Sequence, residues 1–348
     1  MRRTGYLGVS LLLLLALLIS ALPVLGRAQQ PQAKTTAEYN GYLALYNEKD
    51  PAKKAGLGEK FIAEFKESDF IPQAHTMIVG AYMGAKNYPK VMEAADRAVT
   101  IPNADNKLKH YAWANAMVAA QNLNDLDKAI GYGEKVLTID PNDLNALVTL
   151  SGLIPAKLPT DAAAKNAALD KAERYATTAL KGVQELLAKA DAATKAQLVP
   201  IEGNLYSTRG LIAYTKQDYN KSITEYEQAL QRTPKDDVAR FYLGLDHQAI
   251  AAQVSREYQA AVKAENDAKA ARAEQPVIDE LSAKSAGLGE DTKKARDKAI
   301  DELATAVAIG GPVAAQAKTA LTSLWMGKNN DSTAGLDEFI AEKKKNLQ

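Results

Sequence analysis

The chain has 348 residues, of which 47% are hydrophobic and only 6% aromatic. Its formal net charge is +1, so it lacks the strongly basic character that nucleic-acid binding requires. It contains no cysteine, which excludes disulfide bonds, thiol chemistry and a lipid anchor attached through cysteine.

The N-terminus is predicted to be a secretory signal peptide, residues 1–28. Two arginines precede an apolar run from Leu7 to Leu22, and Gly26-Arg27-Ala28 places small residues at the two positions that a signal peptidase reads. Cleavage is predicted after Ala28. The alternative is an uncleaved membrane anchor, for which the run is somewhat short. The polar residues 29–35 predict a flexible leader.

The helical region is predicted to begin near Thr36, acting as the N-cap of a first helix. The inner face of that helix is read from its spacing as Tyr39, Tyr42, Leu43 and Tyr46. Asp50-Pro51 predicts the start of its partner, because aspartate caps a helix and proline is tolerated at the first helical position. A second pair of helices is predicted between Ile71 and Pro102.

Two later pairs share one spacing. Trp113 lies 28 positions before Pro141, and Tyr206 lies 28 positions before Pro234. In both pairs a small residue follows the aromatic residue after 16 positions. Between them, a pair with a longer second helix is predicted to extend to about Ala190.

The stretch 204–234 carries, in order, an aromatic residue, glycine, a small residue, an aromatic residue, alanine and proline. This order resembles the tetratricopeptide repeat (TPR), whose period is about 34 residues. The resemblance extends over most of residues 36–345, and with the N-terminus the chain is similar to an exported bacterial-type TPR protein. It implies an all-α, right-handed superhelical solenoid of antiparallel helix pairs, because one pair cannot bury its own apolar stripe.

The repeats are predicted to occupy residues 36–253, followed by an interruption at residues 254–292. This polar, alanine-rich stretch is predicted to be helical with breaks at Pro276 and at Gly287-Leu288-Gly289. We interpret it as a helical insertion that delays the next second helix to Thr292–Ile309, and a degenerate repeat is the alternative. Residues 293–348 are predicted to be C-terminal TPR-like helices and a cap.

A partner-binding groove is predicted on the concave side, which the first helices line in such a stack. Residues that project from first helices without facing their partner helix are mostly uncharged. Aromatic side chains provide anchors and amides pair with backbone groups, which suits an extended peptide or a helix. The predicted groove residues are Thr76, Tyr111, Asn115, Gln121, Asn204, Ser207, Tyr214 and Phe241.

No pattern in the sequence predicts catalysis, a cofactor or a metal ion. His75, His110 and His247 lie in different repeats, and no His/Asp/Glu cluster has the spacing of a metal site. Gly287-Leu288-Gly289 follows no predicted strand, which argues against a dinucleotide-binding loop.

The sequence therefore predicts a non-catalytic scaffold of the cell envelope, periplasmic or secreted, with no membrane span after signal cleavage. Its partners are expected to be other envelope proteins, as the resemblance to TPR factors in outer-membrane assembly and secretion implies. The alternative is a cell-wall or polysaccharide-associated accessory factor that binds glycan or a wall enzyme.

Overall fold

A computed structural model describes residues 31–347. The predicted signal peptide lies outside the described residues. Within the described range the chain forms fourteen α-helices and no β-strand. The helices are α1 Thr36–Asn47, α2 Pro51–Glu64, α3 Ile71–Gly84, α4 Tyr88–Ala98, α5 Asn106–Asn122, α6 Leu126–Ile139, α7 Leu144–Ala156, α8 Ala162–Leu187, α9 Ala192–Thr215, α10 Tyr219–Arg232, α11 Asp237–Ala270, α12 Gln275–Ile309, α13 Ala314–Lys328 and α14 Leu336–Asn346.

The chain divides into two compact units, Met1–Gly182 and Val183–Gln348, with the boundary inside α8. In the first unit, each helix from α1 to α6 packs on the next. In the second unit, α9 packs on α10, α10 on α11, and α11 on α12. Three residues link the helices of the pairs α1–α2, α3–α4, α5–α6 and α9–α10, which leaves room only for antiparallel neighbours. The predicted all-α class built from antiparallel helix pairs is confirmed for the described residues.

The same tight turn joins the helices of three pairs. In α9–α10, Gln217 takes a left-handed conformation at φ 63°, and the Asp218 amide donates to the Ala213 carbonyl at 2.9 Å. The Asp218 side chain then caps α10. The corresponding left-handed residues in α3–α4 and α5–α6 are Lys86 and Asn124. A recurring C-terminal motif of this kind satisfies the last carbonyls of one helix while the following cap starts the next.

Close contact between α9 and α10 depends on a glycine facing a buried ring. Tyr226 is fully buried, and a Cβ atom added to Gly210 would lie 2.9 Å from that ring. Ser222 and Ala229, on the same face of α10, are also fully buried. The inner positions of stretch 204–234 are therefore confirmed. On its other side, the Tyr226 ring stacks on Tyr242 of α11 with centroids 5.9 Å apart.

The predicted inner face of α1 is wrong for Tyr39 and Tyr46, whereas Tyr42 packs inward as predicted. Tyr39 and Tyr46 are 50% and 60% exposed, whereas Leu45 and Glu38 are buried. The buried seam runs through Glu38, Tyr42 and Leu45, and the Tyr42 ring stacks on that of Phe70 at 4.1 Å. As the first described helix, α1 packs only against α2 and α3, so aromatic residues on its free side stay exposed.

The predicted N-terminal ends of α1 and α2 agree with the structure to within one residue. The N-cap of α1 is Thr35, one residue before the predicted Thr36. Asp50 caps α2 by accepting from the Lys53 amide, with Pro51 as the first helical residue, as predicted. Cap residues are read well from sequence because the capping interaction is local.

The predicted break near Pro276 is confirmed, because α11 ends at Ala270 and α12 begins at Gln275. The predicted break at Gly287-Leu288-Gly289 and the predicted start of the next helix at Thr292 are wrong. Pro276 lies in the first turn of α12, which needs no donor there, and α12 continues through Gly287 and Gly289 to Ile309. Residues 254–292 are the distal part of α11, a four-residue turn and the first half of α12. We call this helical hairpin the arm.

One register holds along the contact between α11 and α12. Gly244 faces Leu303 near the base, Tyr258 faces Gly289 further out, and Glu265 accepts from Ser282 at 2.7 Å. Steps of 14 and then 7 residues along α11 match equal steps back along α12. Side chains that meet every seven residues are typical of paired helices with coiled-coil packing.

The Gly210 contact gives a direct test of this packing. We expect Gly210→Ala to lower the free energy of unfolding by about 1–3 kcal/mol, because its methyl group overpacks the buried Tyr226 ring. The matched control is Gly287→Ala, where a Cβ meets nothing within 4 Å. It should raise the free energy of unfolding by about 0.5–1 kcal/mol through helix propensity. Urea unfolding followed by circular dichroism measures both; destabilisation by Gly287→Ala would contradict a continuous α12.

Deleting the arm tests the insertion hypothesis. In the register of the facing pairs, Gln253 of α11 lies opposite Lys294 of α12. The axes of packed helices lie about 8–10 Å apart. A bridge of about four Gly/Ser residues should therefore replace residues 254–292 and leave the rest of the second unit folded. Circular dichroism should show loss of helix in proportion to the residues removed, with cooperative unfolding retained. Loss of cooperative unfolding would count against an insertion.

Candidate functional site

In the first unit, the predicted groove residues lie partly exposed on the first helices α3 and α5. Tyr111 packs over α3, where a Cβ on Gly80 would lie 2.7 Å from its hydroxyl oxygen, and burial raises the pKa of Tyr111. Asn115 donates its amide to the Tyr111 carbonyl at 2.8 Å, and the Thr76 hydroxyl donates to the Pro72 carbonyl at 3.0 Å. The Thr76 hydroxyl hydrogen and one N–H of Asn115 are thus used within their own helices, while the second N–H and the side-chain oxygen of Asn115 remain available. Gln121 is partly exposed in the last turn of α5.

In the second unit, the predicted residues Asn204, Ser207 and Tyr214 of α9 fall on one stripe, together with Leu211, which the prediction did not include. Asn204, Ser207, Leu211 and Tyr214 follow each other at spacings of three, four and three, and all are partly exposed. At about 1.5 Å per residue the stripe is about 15 Å long. Phe241 of α11 is partly exposed beside it. We call these five residues the α9–α11 face.

The two ends of the α9–α11 face differ in chemistry. At one end, Asn204 lines a cleft of about 520 Å³ with the loop Thr233–Asp236. Ser207 donates to Asp236, the N-cap of α11, at 3.0 Å. An amide and the neighbouring Lys235 at this end can bind backbone carbonyls or a carboxylate.

The other end is aromatic. The Tyr214 ring lies 5.1 Å from the Tyr242 ring, which in turn lies 5.3 Å from the Phe241 ring. Tyr219 is edge-on to Tyr214 at 6.0 Å. Such a cluster of partly exposed rings is suited to hold an apolar side chain of a partner.

A buried polar network fixes the helices behind this face. The carboxyl group of Asp246 on α11 is fully buried, and the Ser222 hydroxyl of α10 lies 2.6 Å from it and 3.0 Å from the Gly210 carbonyl of α9. Burial raises the pKa of Asp246 to about 7, although its bond to Ser222 acts to lower it. The serine has a single hydrogen for two acceptors. A protonated Asp246 satisfies both contacts, because it donates to Ser222 while Ser222 donates to Gly210.

Two ion pairs join α9 to α10 on either side of this network. Arg209 lies 2.6 Å from Glu225, and Arg232 lies 3.2 Å from Glu202, with each carboxylate largely buried. Arg232 also lies over the Tyr206 ring at 4.7 Å. Removing one partner from such a pair leaves a buried charge, so these residues position the helices. The sequence analysis identified neither ion pair.

One cluster of possible metal ligands exists where the sequence analysis expected none. The ligand atoms of His110, Asp140 and Asp143 lie within 4.8 Å of one another, with His110 at 2.9 Å from Asp143. Both carboxylates already have local roles. Asp143 caps α7 by accepting from the backbone N–H of Ala146, and Asp140 accepts from the backbone N–H of Asn142. A helix N-terminus also disfavours a cation. Loop hydrogen bonding therefore accounts for this cluster.

Comparison with known proteins adds one decisive match. Residues 203–236, from α9 through α10 to the cap of α11, match the sequence model of the tetratricopeptide repeat family. This stretch is similar to a tetratricopeptide repeat. It contains the Gly210–Tyr226 contact and lines the cleft at Asn204. TPR repeats generally bind protein partners and generally have no catalytic role. No curated protein sequence matches the chain.

Several solved structures are similar. A tetratricopeptide repeat protein from Parabacteroides merdae is 11% identical, with 84% of this chain and 100% of that chain covered, at a TM-score of 0.41. A TPR repeats protein from Bacteroides fragilis is 18% identical, with 73% and 97% covered, at 0.32. The TPR2AB domain of yeast Sti1, in a complex with pHSP90, is 17% identical, with 72% and 95% covered, at a TM-score of 0.27. Scores at this level establish no shared function.

The described residues also bear on membrane insertion. Between residues 31 and 347, no helix combines the length and the apolar character that a transmembrane span needs.

Asp246 makes the stability of the TPR dependent on pH. Its pKa of about 7 in the folded state exceeds the value of about 3.9 in an unfolded chain. The folded state therefore keeps a proton that the unfolded state releases, and the free energy of unfolding falls as pH rises through this interval. His247 acts in the opposite direction, because burial and Lys298 lower its pKa to about 4. Wild-type stability thus combines two opposed dependences.

Asp246→Asn isolates the contribution of the carboxyl group. The amide can donate to Ser222 as the protonated acid does, without a buried charge at high pH. We expect the variant to be more stable than the wild type by about 1–3 kcal/mol at pH 8.5 and equal within about 0.5 kcal/mol at pH 5. Urea unfolding at both pH values measures the difference, in which the His247 contribution cancels. A variant that is less stable at pH 8.5 would contradict the raised pKa.

Proposed function

We propose that this protein is a non-catalytic scaffold that binds a peptide or helix of a protein partner on the α9–α11 face. The observation that carries the proposal is the arrangement of that face. A stripe about 15 Å long runs along α9, with a cleft lined by amide and lysine groups at one end and an aromatic cluster at the other.

The dimensions suit a short segment of a partner. About 15 Å corresponds to ten residues of a helix or four to five residues of an extended strand. The tyrosine and phenylalanine rings supply large contact area with few rotatable bonds, and binding energy in interfaces concentrates on such residues. Asn204 and Lys235 would bind polar groups of the same segment and set its direction.

The first unit offers a second face of similar chemistry. Tyr111 and Asn115 lie one turn apart on α5, beside Thr76 of the neighbouring α3. We propose that this face contributes a separate contact to the same class of partner.

We also propose that the protein acts in the cell envelope, periplasmic or secreted. The support is the sequence of residues 1–28, with its arginines, apolar run and Gly-Arg-Ala cleavage site. The partners would then be other envelope proteins. The mass of the protein purified from cells tests export, because cleavage after Ala28 leaves Gln29 as the first residue. A full-length mass would contradict cleavage.

Site-specific crosslinking tests the binding face. A photoreactive phenylalanine analogue at Ser207 or Tyr214 should yield discrete protein adducts in cells, identified by mass spectrometry. The matched control is Thr224, which is exposed on α10 of the same repeat. Tyr214→Ala should reduce the adduct formed at Ser207 by about tenfold, as expected for an aromatic anchor.

The same experiment can contradict the proposal. Equal adducts from Thr224, or none from either face position, would remove the support for this surface. Retention of the purified protein on isolated cell-wall material, unchanged by Tyr214→Ala, would favour the glycan-binding alternative.

A further inference from the structure

A second cleft in the same unit lies away from the α9–α11 face. It has a volume of about 670 Å³, with α10 and α12 as its walls and α11 as its floor. On α11 the lining residues are Arg240, Leu243 and His247. At 3.6 residues per turn, these point about a third of a turn away from Phe241.

Most acidic groups of this cleft already have cationic partners. Glu302 binds Arg240 at 2.7 Å. Asp297 pairs with Lys328 of α13 at 2.9 Å, and Asp301 pairs with Lys343 of α14. The carboxylates of α12 are thus neutralised within the unit.

Two lysines of the cleft lack such compensation. Lys294 and Lys298 lie four residues apart on one face of α12 and are exposed. Lys298 has no ion pair with any residue between 31 and 347. Lys294 has one contact, 3.9 Å from Asp291, and both side chains are more than 60% exposed. An exposed pair at that distance contributes little.

The floor of the cleft holds polar groups without partners. His247 is only 8% exposed, and none of the described residues hydrogen-bonds to it. It is neutral at physiological pH, since desolvation and the nearby Lys298 lower its pKa. The Nε of Arg240 is also buried without a hydrogen-bond acceptor. The Oδ1 of Asp297, also at this cleft, is buried and makes no hydrogen bond, although Lys328 lies 2.9 Å from it. A ligand group that accepts a hydrogen bond from His247 would give that ring a partner.

We propose that this cleft binds an acidic segment of a protein partner, with a carboxylate entering between Lys294, Lys298 and His247. Leu230 and Leu243, which line the cleft beside them, contact the aliphatic part of the same side chain. Charge complementarity selects this occupant, because a basic segment would meet Lys294 and Lys298, whose charges no close, buried ion pair compensates. Glu227, an exposed acid across the cleft, disfavours a continuous polyanion such as a nucleic acid.

This inference goes beyond the proposed function, since it concerns a different surface. Neither surface requires the other: the cleft variants described next leave the α9–α11 face unchanged, and Tyr214→Ala leaves the cleft unchanged. Failure of one proposal is therefore distinguishable from failure of the other.

Binding of acetylated, amidated hexaglutamate to the full-length mature chain tests the proposal, with hexaglutamine as the neutral control peptide. Calorimetry at low salt should give a Kd below about 1 mM for hexaglutamate and no binding for hexaglutamine. In NMR spectra, the His247 ring resonance, assigned by its loss in His247→Gln, should shift on titration. The resonances of His75 and His110 should not.

The double variant Lys294→Gln/Lys298→Gln should weaken hexaglutamate binding by about tenfold or more. Its matched control is Lys284→Gln/Lys293→Gln, which removes the same charge from exposed positions of α12 outside the cleft. The control should change affinity by less than about threefold. Equal weakening by both pairs, an unmoved His247 resonance, or equal binding of hexaglutamine would overturn the proposal.

Discussion

The contact between the Gly210 backbone and the Tyr226 ring is the constraint on which the second unit depends. The helices α9 and α10 approach closely because α9 presents no side chain at Gly210, where α10 presents a buried ring. The Tyr226 ring contacts Gly210 on one side and stacks on Tyr242 on the other, so that one side chain connects α9, α10 and α11. The stripe that we propose for binding lies about a quarter of a turn around α9 from Gly210.

Polar groups also hold together the three helices that the Tyr226 ring connects. Ser222 and Asp246 link the same three helices, and the arginine–carboxylate pairs hold α9 against α10 on both sides. Buried ionic and hydrogen-bonded groups add little net stability, but they penalise any other register of the helices. Directional contacts of this kind keep residues such as Ser207 and Tyr214 in line along α9. Orientation of the binding stripe is therefore a product of buried polar chemistry as much as of apolar packing.

Much of the fold could be predicted from sequence because its signals are local. Caps such as Asp50 and the spacing around Tyr226 depend on neighbours within one pair of helices. Prediction failed where contacts between residues far apart in the sequence determine the structure. Gly287 and Gly289 read as a break, yet α12 remains helical there because α11 packs along it. For the site, the stripe on α9 followed from helical periodicity, whereas the buried carboxyl groups of Glu202 and Asp246 carry no sequence signal that separates them from solvated acids.

The seven-residue register between α11 and α12 limits how the arm can change in length. Adding one or two residues to either helix would rotate its later side chains off the seam and set large groups against the positions that Gly289 and Ser285 now fill. Removing seven residues from each helix together would return equivalent positions to contact. Natural variants of this protein should accordingly differ in the length of the arm by discrete increments of about 10 Å, gained or lost by both helices of the hairpin at once.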